Sequence, residues 1–70
     1  MKINYKEITV TGKNEFIYNG EKWTLSSDAK NVGTSARGIW NYMTNGTVIV
    51  RVYKADVLKA NKDAAIKLFN

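Results

Sequence analysis

Apolar and polar positions alternate through ITVTG at 8 to 12, and a second run, EFIYNGEKWTL at 15 to 25, reads as a hairpin. A period of two marks a strand, and the Asn19-Gly20 pair inside the second run suits a two-residue turn in which both residues take positive φ. The pattern predicts a strand followed by a β-hairpin, with Tyr18 opposite Glu21 and Phe16 opposite Trp23. Phe16 and Trp23, with Leu25 beyond, share one face and make a candidate core. Such rings can also stack single-stranded bases, but rings paired across a hairpin serve packing first.

Further along, TVIVRVY at 47 to 53 sets Val48, Val50 and Val52 against Ile49, Arg51 and Tyr53, the pattern of a strand covered on both sides that pairs with the hairpin. From Asp56, a candidate N-cap, the spacing changes to that of a helix. Val57, Leu58, Asn61, Ala64, Ala65, Leu68 and Phe69 fall on one stripe, and Lys59, Lys62 and Lys67 face water.

The stretch between these regions, SSDAKNVGTSARGIWNYMTNG at 26 to 46, is the ambiguous one. One helix across it would hold Gly33 and Gly38 in its interior at about 1 kcal/mol each. Two helices fit better. Ser26 or Ser27 caps a first helix holding Ala29 and Val32, and Gly33 takes a left-handed turn. Thr34 or Ser35 then caps a second helix in which Ala36, Ile39, Trp40 and Met43 recur at helical spacing, with Gly46 past its end. The expected fold is therefore α+β: a small antiparallel sheet, made of the amino-terminal hairpin plus a strand near 47-53, with a helix-turn-helix and a carboxy-terminal helix. No proline, repeat or low-complexity tract divides residues 1 to 70, so one domain is expected.

Composition narrows the chemistry. A chain of 70 residues buries only about 60% of its unfolded surface, which makes for a modest core. The absence of cysteine and histidine removes disulfides, thiol nucleophiles, the usual zinc sites and imidazole catalysis. No carboxylate pair, phosphate-binding loop or metal cluster stands out, so the reading is of a protein that is not an enzyme and has no cofactor or metal. Without a long apolar run, a cytoplasmic location and no membrane partner are expected. Eleven Lys and Arg against six Asp and Glu leave a formal charge of +5, which favours nucleic acid or another acidic partner. The lysines are scattered, so charge alone also fits a solvated surface.

Within 26 to 46, Ala29, Gly33, Ser35 and Ile39 sit at the spacing of a helix-turn-helix signature, and IWNYMTNG ends the run. The segment resembles the winged-helix domains of phage excisionases and mercury-resistance-type regulators, and the short DNA-binding repeats of intron-encoded homing endonucleases. NGEKWTLSS before it resembles the strand leading into those repeats, and VIVRVYKADVL after it resembles a wing strand running into a closing helix. Asp28, Thr34 and Gly38 depart from the signature. The resemblance implies a small interhelical core of Val32, Ile39 and Tyr42 and a regulator of phage or mobile-element type. No nuclease active site is implied, because binding repeat and cutting domain are separate in such enzymes.

On this reading the function is to bind duplex DNA, with the helix from Thr34 to Met43 in the major groove. Ser35 and Arg37 would touch DNA early, Trp40 and Asn41 further along and Thr44 at the end. Arg37 suits guanine and Asn41 adenine, because each can make two hydrogen bonds to the base edge. Lys30, Lys22 and Arg51 are candidates for phosphate. Trp40 stands between two roles, since it shares a stripe with Ile39 and fits a core equally well. A different class is a small inhibitor or adaptor that binds a host protein.

Overall fold

The structure, a computed structural model, describes residues 2–26 and 32–69. After a 3-10 turn at Tyr5–Glu7, strands β1 (Thr9–Gly12), β2 (Glu15–Tyr18) and β3 (Glu21–Leu25) form an antiparallel meander. The hairpin is the one expected. Asn19 and Gly20 have φ of 54° and 74°, and Phe16 lies across from Trp23 and Tyr18 across from Glu21. Two positive φ values give the turn the twist of the flanking strands, which fixes this register.

β4 (Val32–Ser35) and β5 (Gly38–Thr44) form a second hairpin, turned at Ala36 and Arg37. β6 (Ile49–Tyr53) runs antiparallel to β5, and α1 (Lys54–Ala60) and α2 (Lys62–Phe69) follow. β5 is the hub of the sheet. One of its edges carries β6, and the other carries β4 beside its first half and β3 beside its second. The link from β5 to β6 is held by the Asn45 side chain, whose Oδ1 accepts the main-chain N–H groups of Thr47 and Val48 at 2.9 and 3.0 Å.

Cross-strand pairs share a face, so the register sorts the sheet into two sides. One side presents Phe16, Tyr18, Trp23, Met43 and Val52 to Val57, Ala64, Ala65 and Leu68 of the helices, and Ile3 and Ile8 complete this core. Phe16 and Trp23 stack at 6.1 Å between ring centroids. The other side holds Thr24, Trp40, Tyr42, Thr44, Ile49, Arg51 and Tyr53, and none of these is fully buried.

The α+β class, the amino-terminal hairpin, the strand near 47-53 and the carboxy-terminal helical segment are what the chain forms. Three details differ. The strand near 47-53 joins β5 rather than the first hairpin. The last segment is two helices, and the first begins at Lys54, two residues before the expected Asp56 cap. Leu25 and Leu58 are exposed rather than core.

The second half of the helix-turn-helix is corrected outright: the helix expected from Thr34 to Met43 is the β4–β5 hairpin. Gly38 has a φ of 104°, which a right-handed helix cannot contain, and burial along β5 alternates rather than recurring every three or four residues. Gly33 makes no left-handed turn either. It sits inside β4, and a Cβ placed on it would lie 2.4 Å from the Trp40 ring, so only glycine leaves room for that ring to lie across the strand. The interhelical core also dissolves, since Ile39 is 41% exposed and Tyr42 lies on the open face. The first helix of the expected motif falls mainly on residues 27–31, outside the described residues, as does Lys30.

Candidate nucleic-acid interface

The face of the sheet turned away from the helices gathers most of the unusual side chains. Side chains two residues apart on one strand, or opposite each other on neighbouring strands, stand next to each other there. β5 contributes Trp40 and Tyr42, and β6 contributes Arg51 and Tyr53, with Trp40 opposite Tyr53 and Tyr42 opposite Arg51. The Trp40 and Tyr42 rings meet edge to face at 4.7 Å.

Arg51 ties the rings together. Its guanidinium carbon lies 4.5 Å from the centre of the Trp40 ring, and its Nη2 donates to the Tyr42 hydroxyl at 3.1 Å. A weaker contact runs from Nη1 to the Tyr53 hydroxyl at 3.5 Å. These phenol oxygens stabilise the cation, with Tyr42 first, and hold Arg51 above its ordinary pKa. In return the guanidinium bond lowers the Tyr53 pKa below that of a free phenol. Arg37 is delivered by the β4–β5 turn, where the Ser35 hydroxyl accepts the Arg37 main-chain N–H at 3.2 Å. Its guanidinium lies 4.1 Å from the centre of the Tyr53 ring and pairs with Asp56 of α1 at 2.8 Å.

The result is a patch of alternating rings and guanidinium planes, each flat and each able to stack on another flat group. Of the residues expected to touch DNA, Arg37, Trp40 and Arg51 come together here, with Ser35 supporting the turn. The others part company. Asn41 is corrected: it points into the core, only 1% exposed, where its Nδ2 donates to the Asn14 side chain of the β1–β2 turn, and it cannot reach a base. Thr44 shapes the β5–β6 turn by donating to the Val48 carbonyl at 2.7 Å. Lys22 lies on the same face but further along, 3.6 Å from Glu15.

Tyr42 and Tyr53 were missed as site residues. Their signal was present in the alternation of GIWNYMT and VIVRVY, which puts Trp40 and Tyr42 on one side of the first run and Arg51 and Tyr53 on one side of the second. Among the described residues no three of His, Cys, Asp and Glu gather where they could hold a metal ion, and no helix is long and apolar enough to cross a membrane. No family model matches the chain, and no match is found among curated proteins or solved structures.

Proposed function

We propose that this protein binds single-stranded nucleic acid on the open face of its sheet. The observation that carries the reading is the interleaving of Trp40, Tyr42 and Tyr53 with Arg37 and Arg51 on a face that neither described helix covers. Rings accept the flat faces of unpaired bases and arginines extend the stack, while a formal charge of +5 draws in the phosphate backbone. The expectation of duplex binding rested on a recognition helix. With strands in its place, the nucleic-acid reading moves to the sheet and to unpaired strands, whose bases are free to stack. The proposed action is to hold a strand without altering it, so affinity depends weakly on sequence and strongly on salt.

The test is a fluorescence titration with a short oligothymidine, beside a duplex of the same length, at two salt concentrations. Single strands are expected to bind more tightly than the duplex, and Trp40→Ala to cost about 1 to 3 kcal/mol of affinity, the worth of one stacked base. An unchanged affinity in Trp40→Ala, or no binding at low salt, overturns the reading and returns attention to a protein partner.

A further inference from the structure

Beside the aromatic patch lies a half-open cleft of about 420 Å³, lined by Lys2, Ile3, Tyr5, Arg37, Val50, Arg51 and Asp56. It follows the outer edge of β6, which takes no main-chain partner among the described residues. The direction of the unpaired groups follows from the register. The Ser26 N–H donates to the Tyr42 carbonyl at 2.9 Å, so Tyr42 turns its main-chain polar groups toward β3 and its neighbours Asn41 and Met43 turn theirs toward β6. Val52 and Val50, opposite those neighbours, therefore bond to β5. Ile49, Arg51 and Tyr53 are left with their N–H and C=O groups facing outward, those of Arg51 along the cleft.

The cleft is thus lined by Lys2, Arg37, Tyr5 and Arg51, of which Lys2 and Arg37 supply its cationic side chains, while the Arg51 guanidinium is turned across β5 onto Trp40 and Tyr42. Its one carboxylate, Asp56, is already engaged by Arg37 at 2.8 Å. Burial raises the Tyr5 pKa and the nearby Asp56 raises it further, which keeps that hydroxyl protonated and able to donate. Lys2 and Arg37 outweigh the charge of Asp56, and the outward Arg51 N–H adds a main-chain donor beside them, a combination that suits a phosphate group. Arg37 and Arg51 belong to the cleft and to the aromatic patch at once, so an anion in the cleft lies next to anything stacked on the rings.

We propose that this cleft is a phosphate site, in which Lys2, Arg37 and the Arg51 main-chain N–H take the oxygens of a phosphate carried by a nucleic acid strand lying on the aromatic face. It rests on the single-strand reading above. Asp56 is then a competitor, because the phosphate must share Arg37 with it or displace it. Removing the Asp56 charge should tighten binding rather than merely loosen the fold.

The full chain is titrated with inorganic phosphate and with oligothymidines of one length ending in a 5′-phosphate, a 3′-phosphate or hydroxyls only. Amide shifts and affinity are the readouts. Phosphate is expected to move the Arg51 amide. Asp56→Asn is expected to raise oligonucleotide affinity several-fold, and Lys2→Ala to lower it while flattening the salt dependence by about one unit of slope. A gain from a terminal phosphate identifies a phosphomonoester as the occupant, and equal binding of the three oligonucleotides with the same flattening identifies an internal phosphodiester. Oligonucleotide binding that needs Trp40 but ignores both Lys2→Ala and Asp56→Asn overturns the cleft and leaves the single-strand reading standing. Phosphate shifts without any oligonucleotide binding do the reverse, removing the strand and leaving a bare anion site. An acidic peptide that moves the β6 amides where phosphate does not overturns the phosphate assignment.

Discussion

Trp23 and Trp40 lie on adjacent strands of one sheet, yet they face opposite ways and meet opposite surroundings. Trp23 is 0% exposed, stacked on Phe16 beneath the helices. Trp40 is half-buried, laid across Gly33, edged by Tyr42 and capped by Arg51. The first ring belongs to the apolar core and gains by leaving water, although its indole N–H is buried there with no partner among the described residues. The second is flanked by a cation that stays in water, and its environment suits exchange with another flat, charged molecule. Identical side chains thus divide between holding the fold and meeting a partner, and what divides them is strand parity and the position of the helices.

The sharpest break of this comparison is a pair of alanine variants. Trp23→Ala should cost roughly 3 to 5 kcal/mol, as expected for a large ring removed from a core, and should leave a domain of this size largely unfolded in a denaturant melt. Gly33→Val comes next, at about 1 to 3 kcal/mol, because its side chain occupies the space taken by the Trp40 ring. Its particular mark is a moved Trp40 indole resonance, and a melt and a spectrum both equal to the parent's would show that the ring does not rest on β4. Trp40→Ala should cost about 1 kcal/mol or less in stability, the scale of one cross-strand pair. A loss as large as that of Trp23→Ala would place Trp40 in the core and remove the distinction.

The smallest expected effect uses two tyrosines in the same way. Burial raises the Tyr5 pKa above 10.0, so the folded chain keeps that proton where the unfolded chain has lost it, and Tyr5 lowers stability as pH rises past about 10. Tyr53 runs the other way. Its hydrogen bond from Arg51 lowers its pKa, so the folded chain loses that proton first, and Tyr53 adds stability as pH rises toward about 10. A titration of ring carbon shifts should show Tyr53 ionising before Tyr5, and Arg51→Ala should delay Tyr53 while leaving Tyr5 in place. The opposite order would mean that the guanidinium does not sit among the rings.

The two hairpins differ as much in legibility as the two tryptophans do in role. Asn19-Gly20 announces the first through backbone chemistry that few other structures need, and its register followed from the turn alone. The second hairpin turns at Ala36-Arg37, a pair with no such signature, and Ala36, Ile39, Trp40 and Met43 happen to fall at helical spacing. A polar residue on the buried side, Asn41, further masks the alternation of β5. Asn14, with a φ of 56°, is held in the β1–β2 turn by donating its N–H to Leu68 and accepts from the Asn41 Nδ2, while the Asn41 Oδ1 is buried with no partner among the described residues. A partner 27 residues distant is invisible to any local pattern. Arg37 was assigned to a helix that the β4–β5 hairpin replaces, whereas Arg51 was read on a strand that does form, as β6. What could not be read was the sheet that brings them beside Tyr42 and Tyr53.

The hydrogen bond from Asn14 to Leu68 also bears on how the chain comes into being. Leu68 is completely buried, and its carbonyl steadies a turn formed by residues at the other end of the sequence, while the Asn61 side chain donates to the Tyr5 carbonyl at 3.3 Å. During synthesis β1, β2 and β3 are able to pair as they emerge, but the cover over the apolar side of that meander is incomplete until α2 has followed. The nascent domain therefore waits with Phe16 and Trp23 only partly covered, and α2 completes their core. A stall or truncation just before residue 68 should yield a sticky, chaperone-dependent product rather than a smaller version of the same domain.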